Sequence, residues 1–234
     1  MNPPPTSNRR GLVAYIAPFA LYLGITMLES KGWLGIAHEY EILCTAKGIV
    51  VALLLWCFRG EYPAWSSRGL GLAVMAGIVG FVVWIGLDWL QTALPGFQAV
   101  IDSVMQGGRA GYDPFADPES RMLRLTFVGV RIAEMAAIVP VMEELFWRGF
   151  LARYLLADDF RKAPQGVFTP FSFAVVTLAF ASVHPEVLAA IGWGALINLI
   201  FRRTANLWAC VVMHATTNAV LAAYILATGH WRLW

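Results

Sequence analysis

Apolar segments of helical-span length recur along this chain, at about 11–29, 41–58, 69–90, 125–157, 170–184, 186–201 and 205–228. Most lie close to or beyond the ~20 residues a helix needs to cross a bilayer. Inside lipid every backbone N–H and C=O has to be satisfied within the protein, and an α-helix does this within its own segment. The expectation is therefore an all-α fold, a polytopic membrane helical bundle of about seven spanning helices, with six and eight as the bounds. Composition agrees: 59% of residues are hydrophobic and only 14% charged, against about a quarter charged in soluble domains. The 10 Trp and 21 Gly suit interfacial belts and close helix packing. A net charge of +2, with the basic residues dispersed in short clusters, excludes a nucleic-acid partner.

Residues 1–10, MNPPPTSNRR, form a polar Pro-rich tail, and 11–234 read as a single integral membrane domain without internal repeats. The run from Gly11 to Leu28 lacks a small-x-small cleavage site and reads as a first span rather than a signal peptide. The chain ends in HWRLW, so no terminal Cys marks it for prenylation. Cys44, Cys57 and Cys210 lie in apolar stretches without metal or disulfide spacing. With seven spans, Arg9, Arg10, Arg59, Arg68, Arg161, Lys162, Arg202 and Arg203 all fall on one side, which the positive-inside rule makes cytoplasmic. That places the N-terminus in the cytoplasm and the C-terminus outside. The stretch from Gln91 to Ser120, rich in Gly, Pro and acids, is expected as an external flexible loop. The fourth segment is too long for one perpendicular span, and Pro140 removes a donor in its middle, which predicts a kink or a division.

Ionisable groups in a bilayer cost ~2.5 to 3.5 kcal/mol each on insertion scales, so they concentrate at paired or functional positions. The densest group is Glu143-Glu144-Leu145-Phe146-Trp147-Arg148. Glu144 and Arg148 are four apart and share a helix face, so they can pair, whereas the i+4 neighbour of Glu143 is Trp147. A carboxylate without partner or hydration holds its proton more tightly, as a general base near neutral pH requires. Glu143 is thus the candidate base and Glu144–Arg148 the structural pair. The plainer alternative is a charged helix end snorkelling to water. His184 precedes Pro185, so its helix should stop there, and irregular backbone at membrane depth needs a protein or wet surrounding. His214 and Asn218 lie one turn apart in an otherwise apolar segment. Each alone is as well explained by interhelical hydrogen bonding. Together these groups supply a base, its partner and oxyanion donors.

Among the remaining polar positions, Arg131 and Glu134 are expected to pair, and Lys47 to snorkel or, as the alternative, to pair with an acid elsewhere in the chain. Asp88, Trp84 and Trp89 should mark the interfacial end of the third span, and Asn198 interhelical packing. Glu186 should cap the helix after Pro185 or line the site.

Glu143-Glu144 with Arg148, Phe180 with His184, and His214 with Asn218 resemble, in order, the Glu-Glu-x-x-x-Arg, Phe-x-x-x-His and His-x-x-x-Asn motifs of the CPBP family (CAAX protease and bacteriocin-processing, Abi) of intramembrane endopeptidases, which includes the type II CAAX prenyl endopeptidase. The resemblance covers about residues 120–228. PVMEELFWRG, the HPE after the second motif and NLWACVVMHATTN look most like the exosortase-system-associated branch. The resemblance implies a membrane-embedded hydrolase that cuts a membrane-associated protein or peptide substrate. Glu143, helped by His184, would activate water, with His214 and Asn218 donating to the oxyanion; Phe180 would be a packing residue of its motif. It leaves the cofactor open between none and a divalent metal such as zinc held by Glu143, His184 and His214. An exosortase-type sorting system is the partner it suggests. A non-catalytic membrane scaffold or immunity protein of the same family is the alternative. A proton-coupled transporter lacks the expected paired interrupted helices.

Overall fold

The computed structural model describes residues 6–29, 35–36, 38–104, 111–116 and 121–234. Every apolar segment is helical: α1 (Thr6–Glu29), α2 (Glu39–Cys57), α3 (Leu70–Thr92), then the unforeseen α4 (Pro95–Val104), followed by α5 (residues 121–154), α6 (Pro170–Ala181), α7 (Val187–Thr204) and α8 (Leu207–Thr228). There is no strand among the described residues. All but α4 and α6 are long and apolar enough to cross a membrane, which gives six such helices. At ~1.5 Å per residue the 12-residue α6 is too short to do so alone. The first helix begins at Thr6, inside the segment expected as tail, and α4 occupies part of the expected flexible loop. Gly107, Gly108, Asp117, Pro118 and Glu119 of that loop lie outside the described residues.

Local sequence sets the helix ends. Thr169 and Ser172 form a reciprocal capping box at the start of α6, with Pro170 in the first turn where its missing N–H costs nothing. Asn206 caps α8 by accepting from Trp208 N at 3.1 Å, while its amide donates to Ser66 O and Arg68 O. Trp208 Nε1 donates to Pro63 O and Ala64 O, and Leu207 N to Gln165 Oε1. Arg10 and Arg161 both approach Glu61, at 3.3 and 4.0 Å. These bonds bring the loops around 58–69, 158–169 and 204–206 to one end of the bundle, where the basic loop residues gather.

The bundle wraps the second half of the chain. Phe180, Trp193, Ile197, Phe201, Met142, Leu145, Leu207 and Met213 are fully buried, while Leu53, Trp56, Met75, Val79, Val82 and Trp89 face outward. Apolar residues on both sides of a helix are what a lipid surrounding permits, because acyl chains solvate Leu and Val as well as a core does. Helix α3 approaches α8 backbone to backbone: a Cβ on Gly77 would stand 2.6 Å from Met213 O, and Thr217 Oγ1 donates to Gly77 O at 2.9 Å. Gly77→Ala should therefore separate these helices and cost about 1–3 kcal/mol. Thermal unfolding in detergent checks this, and an unchanged midpoint would show that the contact is not tight.

Helix α5 is continuous through Pro140, not divided. It alternates pitch: α over Arg121–Ala133, π over Glu134–Ile138, α over Val139–Glu144, π over Leu145–Leu151, and a last α turn. The wider turn before Pro140 absorbs the ring and its missing donor without ending the helix. Lys47 takes the second of its two expected fates, pairing rather than snorkelling. It is 2% exposed, 2.8 Å from Glu29 and 3.7 Å from Glu134, and donates to Thr26 Oγ1. Glu134 pairs with Arg131 at 2.8 Å. The two acids come from α1 and α5, so only helix packing brings them within reach of the ammonium, and burial is tolerable once they are there.

Candidate active site

The two adjacent acids close the central α stretch of α5, immediately before its second π turn. Glu144 and Arg148 have no solvent exposure. Arg148 Nη1 donates to Glu144 Oε1 at 3.1 Å, Nε to Asn198 Oδ1 at 3.0 Å, and Nη2 to Gly194 O at 3.4 Å. Its guanidinium also faces the rings of Phe180 and Trp193, at 5.3 and 6.0 Å. Asn198 is therefore more than packing: its amide continues to Thr177 Oγ1 at 3.0 Å, which ties α6, α7 and α5 together.

His214 Nδ1 lies 3.0 Å from the same Glu144 oxygen. A carboxylate paired with a guanidinium accepts, so Nδ1 carries the proton, and in the neutral ring the lone pair falls on Nε2. His184 obeys the same logic, with Nδ1 at 2.8 Å from Phe180 O, a carbonyl that can only accept. Both imidazoles are thus oriented by a bond behind the ring, with Nε2 as the basic nitrogen.

Glu143 is 7% exposed, and its Oε2 is buried without a hydrogen bond. The charged and titratable groups acting on it include His214, Glu144 and Arg148. Its helix neighbour Trp147 turns a buried indole Nε1–H toward the carboxylate without closing a well-formed hydrogen bond. An unsatisfied buried carboxylate oxygen costs at least about 1–3 kcal/mol and calls for a functional reason.

The other motif residues sit around this cluster. Phe180 stacks on His184 with centroids 4.3 Å apart and on Trp193 at 5.3 Å, and meets Trp147 edge-on at 5.9 Å. Trp193 in turn meets His214 at 4.7 Å and donates Nε1 to Thr217 Oγ1 at 3.1 Å. His184 and His214 are therefore linked through two stacked rings. Asn218 Nδ2 donates to Met135 O at 2.8 Å, so the amide and His214 engage different partners from adjacent turns of α8.

Sequence reasoning passed over the residues that hold the His184 turn. Gln91, 1% exposed, donates to Pro185 O at 2.9 Å and accepts from Leu188 N at 3.0 Å, which clamps the chain on both sides of Glu186. Its signal was an amide at the end of a strongly apolar segment. Glu186 makes no side-chain cap to α7; its carboxylate is 2% exposed and 3.8 Å from Arg232. Asp88, four residues from the end of α3, is likewise buried and accepts from Arg232 Nη2 at 2.6 Å. Burial works against the Arg232 charge, but the bond from Asp88 and the charges of Asp88 and Glu186 outweigh it and hold its pKa above the ordinary value.

Glu143, His184 and His214 are also the residues the resemblance offers to a metal. Among the described residues no group of three or more His, Cys, Asp or Glu is gathered so as to hold an ion. The three do not fit a His₂Glu centre in this arrangement.

Helices of this length and polarity, closed around a carboxylate–guanidinium–imidazole cluster in which one oxygen each of Glu143 and Glu144 is buried without a hydrogen bond, define a polytopic membrane protein with a buried polar site. Residues 126–220 match the family model described as Rce1-like, type II CAAX prenyl endopeptidase Rce1-like. The matched stretch runs from α5 into α8 and contains Glu143, Glu144, Arg148, Phe180, His184, His214 and Asn218. No curated protein and no solved structure matches the chain.

Proposed function

We propose that the protein is a membrane-embedded endopeptidase in which Glu143 activates water for attack on a peptide bond of a membrane-associated protein. The observation that carries this reading is the buried, unpartnered Oε2 of Glu143 beside the His214–Glu144–Arg148 chain. Glu143 takes a proton from water as the C–O bond forms, helped by His184, whose Nε2 is its basic nitrogen. The tetrahedral oxyanion then accepts hydrogen bonds from Nε2–H of protonated His214 and from the second Nδ2 hydrogen of Asn218. The proton held by Glu143 passes to the leaving amine as the C–N bond breaks. Glu144 and Arg148 do not touch substrate in this scheme. They fix the His214 ring, as carboxylate partners fix catalytic imidazoles elsewhere.

The positive-inside rule supports a cytoplasmic location for the basic end of the bundle and the N-terminus, and the resemblance to the exosortase-associated branch supports a bacterial inner membrane. The substrate is a membrane-anchored chain, with a C-terminal sorting signal of an exosortase-type system or a prenylated C-terminal motif as the two sources to separate. The test is to incubate the purified protein in detergent with membrane-anchored peptides of both kinds. Glu143→Ala and His214→Ala serve as controls, and parallel reactions contain a chelator. Cleavage by the parent that both substitutions abolish is the expected result. Cleavage that survives both, or its complete absence, overturns the reading. Loss of cleavage on chelation, restored by added metal, would replace the metal-free scheme.

A further inference from the structure

Asn218 Nδ2 reaches from α8 to a main-chain carbonyl inside α5, that of Met135, at 2.8 Å. Carbonyls within a helix ordinarily take an N–H from their own helix, and the exception has a cause five residues further on. In the π turn, Val139 N–H is donated to Glu134 O, five positions back. The next donor in that register, the one due to Met135 O, belongs to residue 140, which is proline and has no N–H. Met135 is 7% exposed, and a buried carbonyl without a donor is costly. Asn218 supplies the missing hydrogen.

The turn that presents this carbonyl is also held from its other side. The Glu134 carboxylate accepts from Arg131 Nη1 at 2.8 Å and from Cys44 Sγ at 3.1 Å, and lies 3.7 Å from Lys47, which bonds Glu29 at 2.8 Å. Met135 O therefore sits on a turn tied to α1 and α2, a fixed point rather than a compliant one.

We propose that Pro140 is a positioning residue for the Asn218 amide: by withholding its N–H it leaves Met135 O as a fixed acceptor that orients the amide for the tetrahedral oxyanion. An amide nitrogen has two hydrogens, and Met135 O takes only one. The inference rests on the oxyanion role given to Asn218 above. It assigns Pro140 a purpose distinct from kinking the helix.

Pro140→Ala returns a donor that competes for Met135 O, and alanine favours the helix, so the fold should persist. The expected result is a fall in kcat of about 10- to 100-fold with KM within about twofold, the signature of misplacing a transition-state donor. In an Asn218→Ala background the same substitution should change kcat no further. Asn218→Asp, which keeps the shape but cannot donate to Met135 O, should behave as Asn218→Ala does. A Pro140→Ala loss that simply multiplies with that of Asn218→Ala overturns the proposal.

A second readout needs no substrate. The chain has five asparagines, so selective ¹⁵N-asparagine labelling in detergent gives a short set of side-chain amide signals. The Asn218 pair is identified by its loss in Asn218→Ala. One hydrogen of that pair should exchange slowly in the parent and lose its protection in Pro140→Ala. Unchanged protection overturns the proposal. Lost protection together with a parent protein that cleaves nothing supports the link between Pro140 and Asn218 and overturns the endopeptidase reading instead.

Discussion

Glu143→Gln should lower kcat by about 10³-fold or more while leaving KM nearly unchanged and the unfolding midpoint equal or higher. Replacing a general base removes typically 10²–10⁴ of rate, and here the same residue supplies the step on which the remaining chemistry depends. The stability half of the prediction follows from the environment. Oε2 of Glu143 is buried without a hydrogen bond, so a neutral amide of the same shape removes the cost of an uncompensated buried charge. A structural carboxylate behaves in the opposite way, losing stability when its charge is removed. Paired measurements of cleavage rate and thermal unfolding on one preparation separate the two cases. Full activity in Glu143→Gln would rule out this residue as the base.

Arg148→Met is expected to cost about 3–5 kcal/mol of stability, the amount typical of removing one partner from a buried ion pair. The guanidinium meets Glu144, Asn198 and Gly194 O and has no exposure. Its loss leaves the Glu144 carboxylate with His214 alone and strands the Asn198 carbonyl oxygen. The double variant Arg148→Met with Glu144→Leu should recover most of that stability, because an apolar pair of similar volume incurs no desolvation cost. It should not recover activity, because His214 then loses the carboxylate that holds its Nδ1 at 3.0 Å. Unfolding of each variant by denaturant in mixed micelles provides the comparison. An Arg148→Met variant as stable as the parent would show that the Glu144–Arg148 pair does not hold the helices together.

Most of the fold could be read from apolar runs because hydrophobic length is a one-dimensional property. Helix α4 escaped detection because it is short and lies among turn-forming residues. The dimensions of α6 are set by its Thr169–Ser172 box and by the stop before His184-Pro185, both local signals. The Glu144–Arg148 pair was legible for the same reason, being a matter of one helical turn. The fate of Lys47 was not, since its two acids come from other helices, 18 residues away in α1 and 87 in α5. Nor was that of Asp88, whose partner Arg232 is 144 residues distant. Asn218 shows both limits at once. Its spacing from His214 can be seen in the chain, but its acceptor depends on a change of helical pitch and on which proline lies opposite.

By itself, then, the sequence determined the solvent this chain requires, the stretches that become helices, and the one dense group of charges inside them. Those follow from hydropathy and from the 3.6-residue turn, which act over at most a few tens of residues. Only the tertiary structure decided which buried charges are compensated. That a Glu143 oxygen stays unpartnered, that Glu144 serves Arg148 and His214 together, and that Gln91 clamps the turn after His184 all depend on which side chains the packed helices bring within about 3 Å. Hydrogen bonding and ion pairing fall off over distances far shorter than a helix is wide. Beyond pairs one turn apart in a helix, they are therefore set by packing in three dimensions, and no spacing along the chain encodes them.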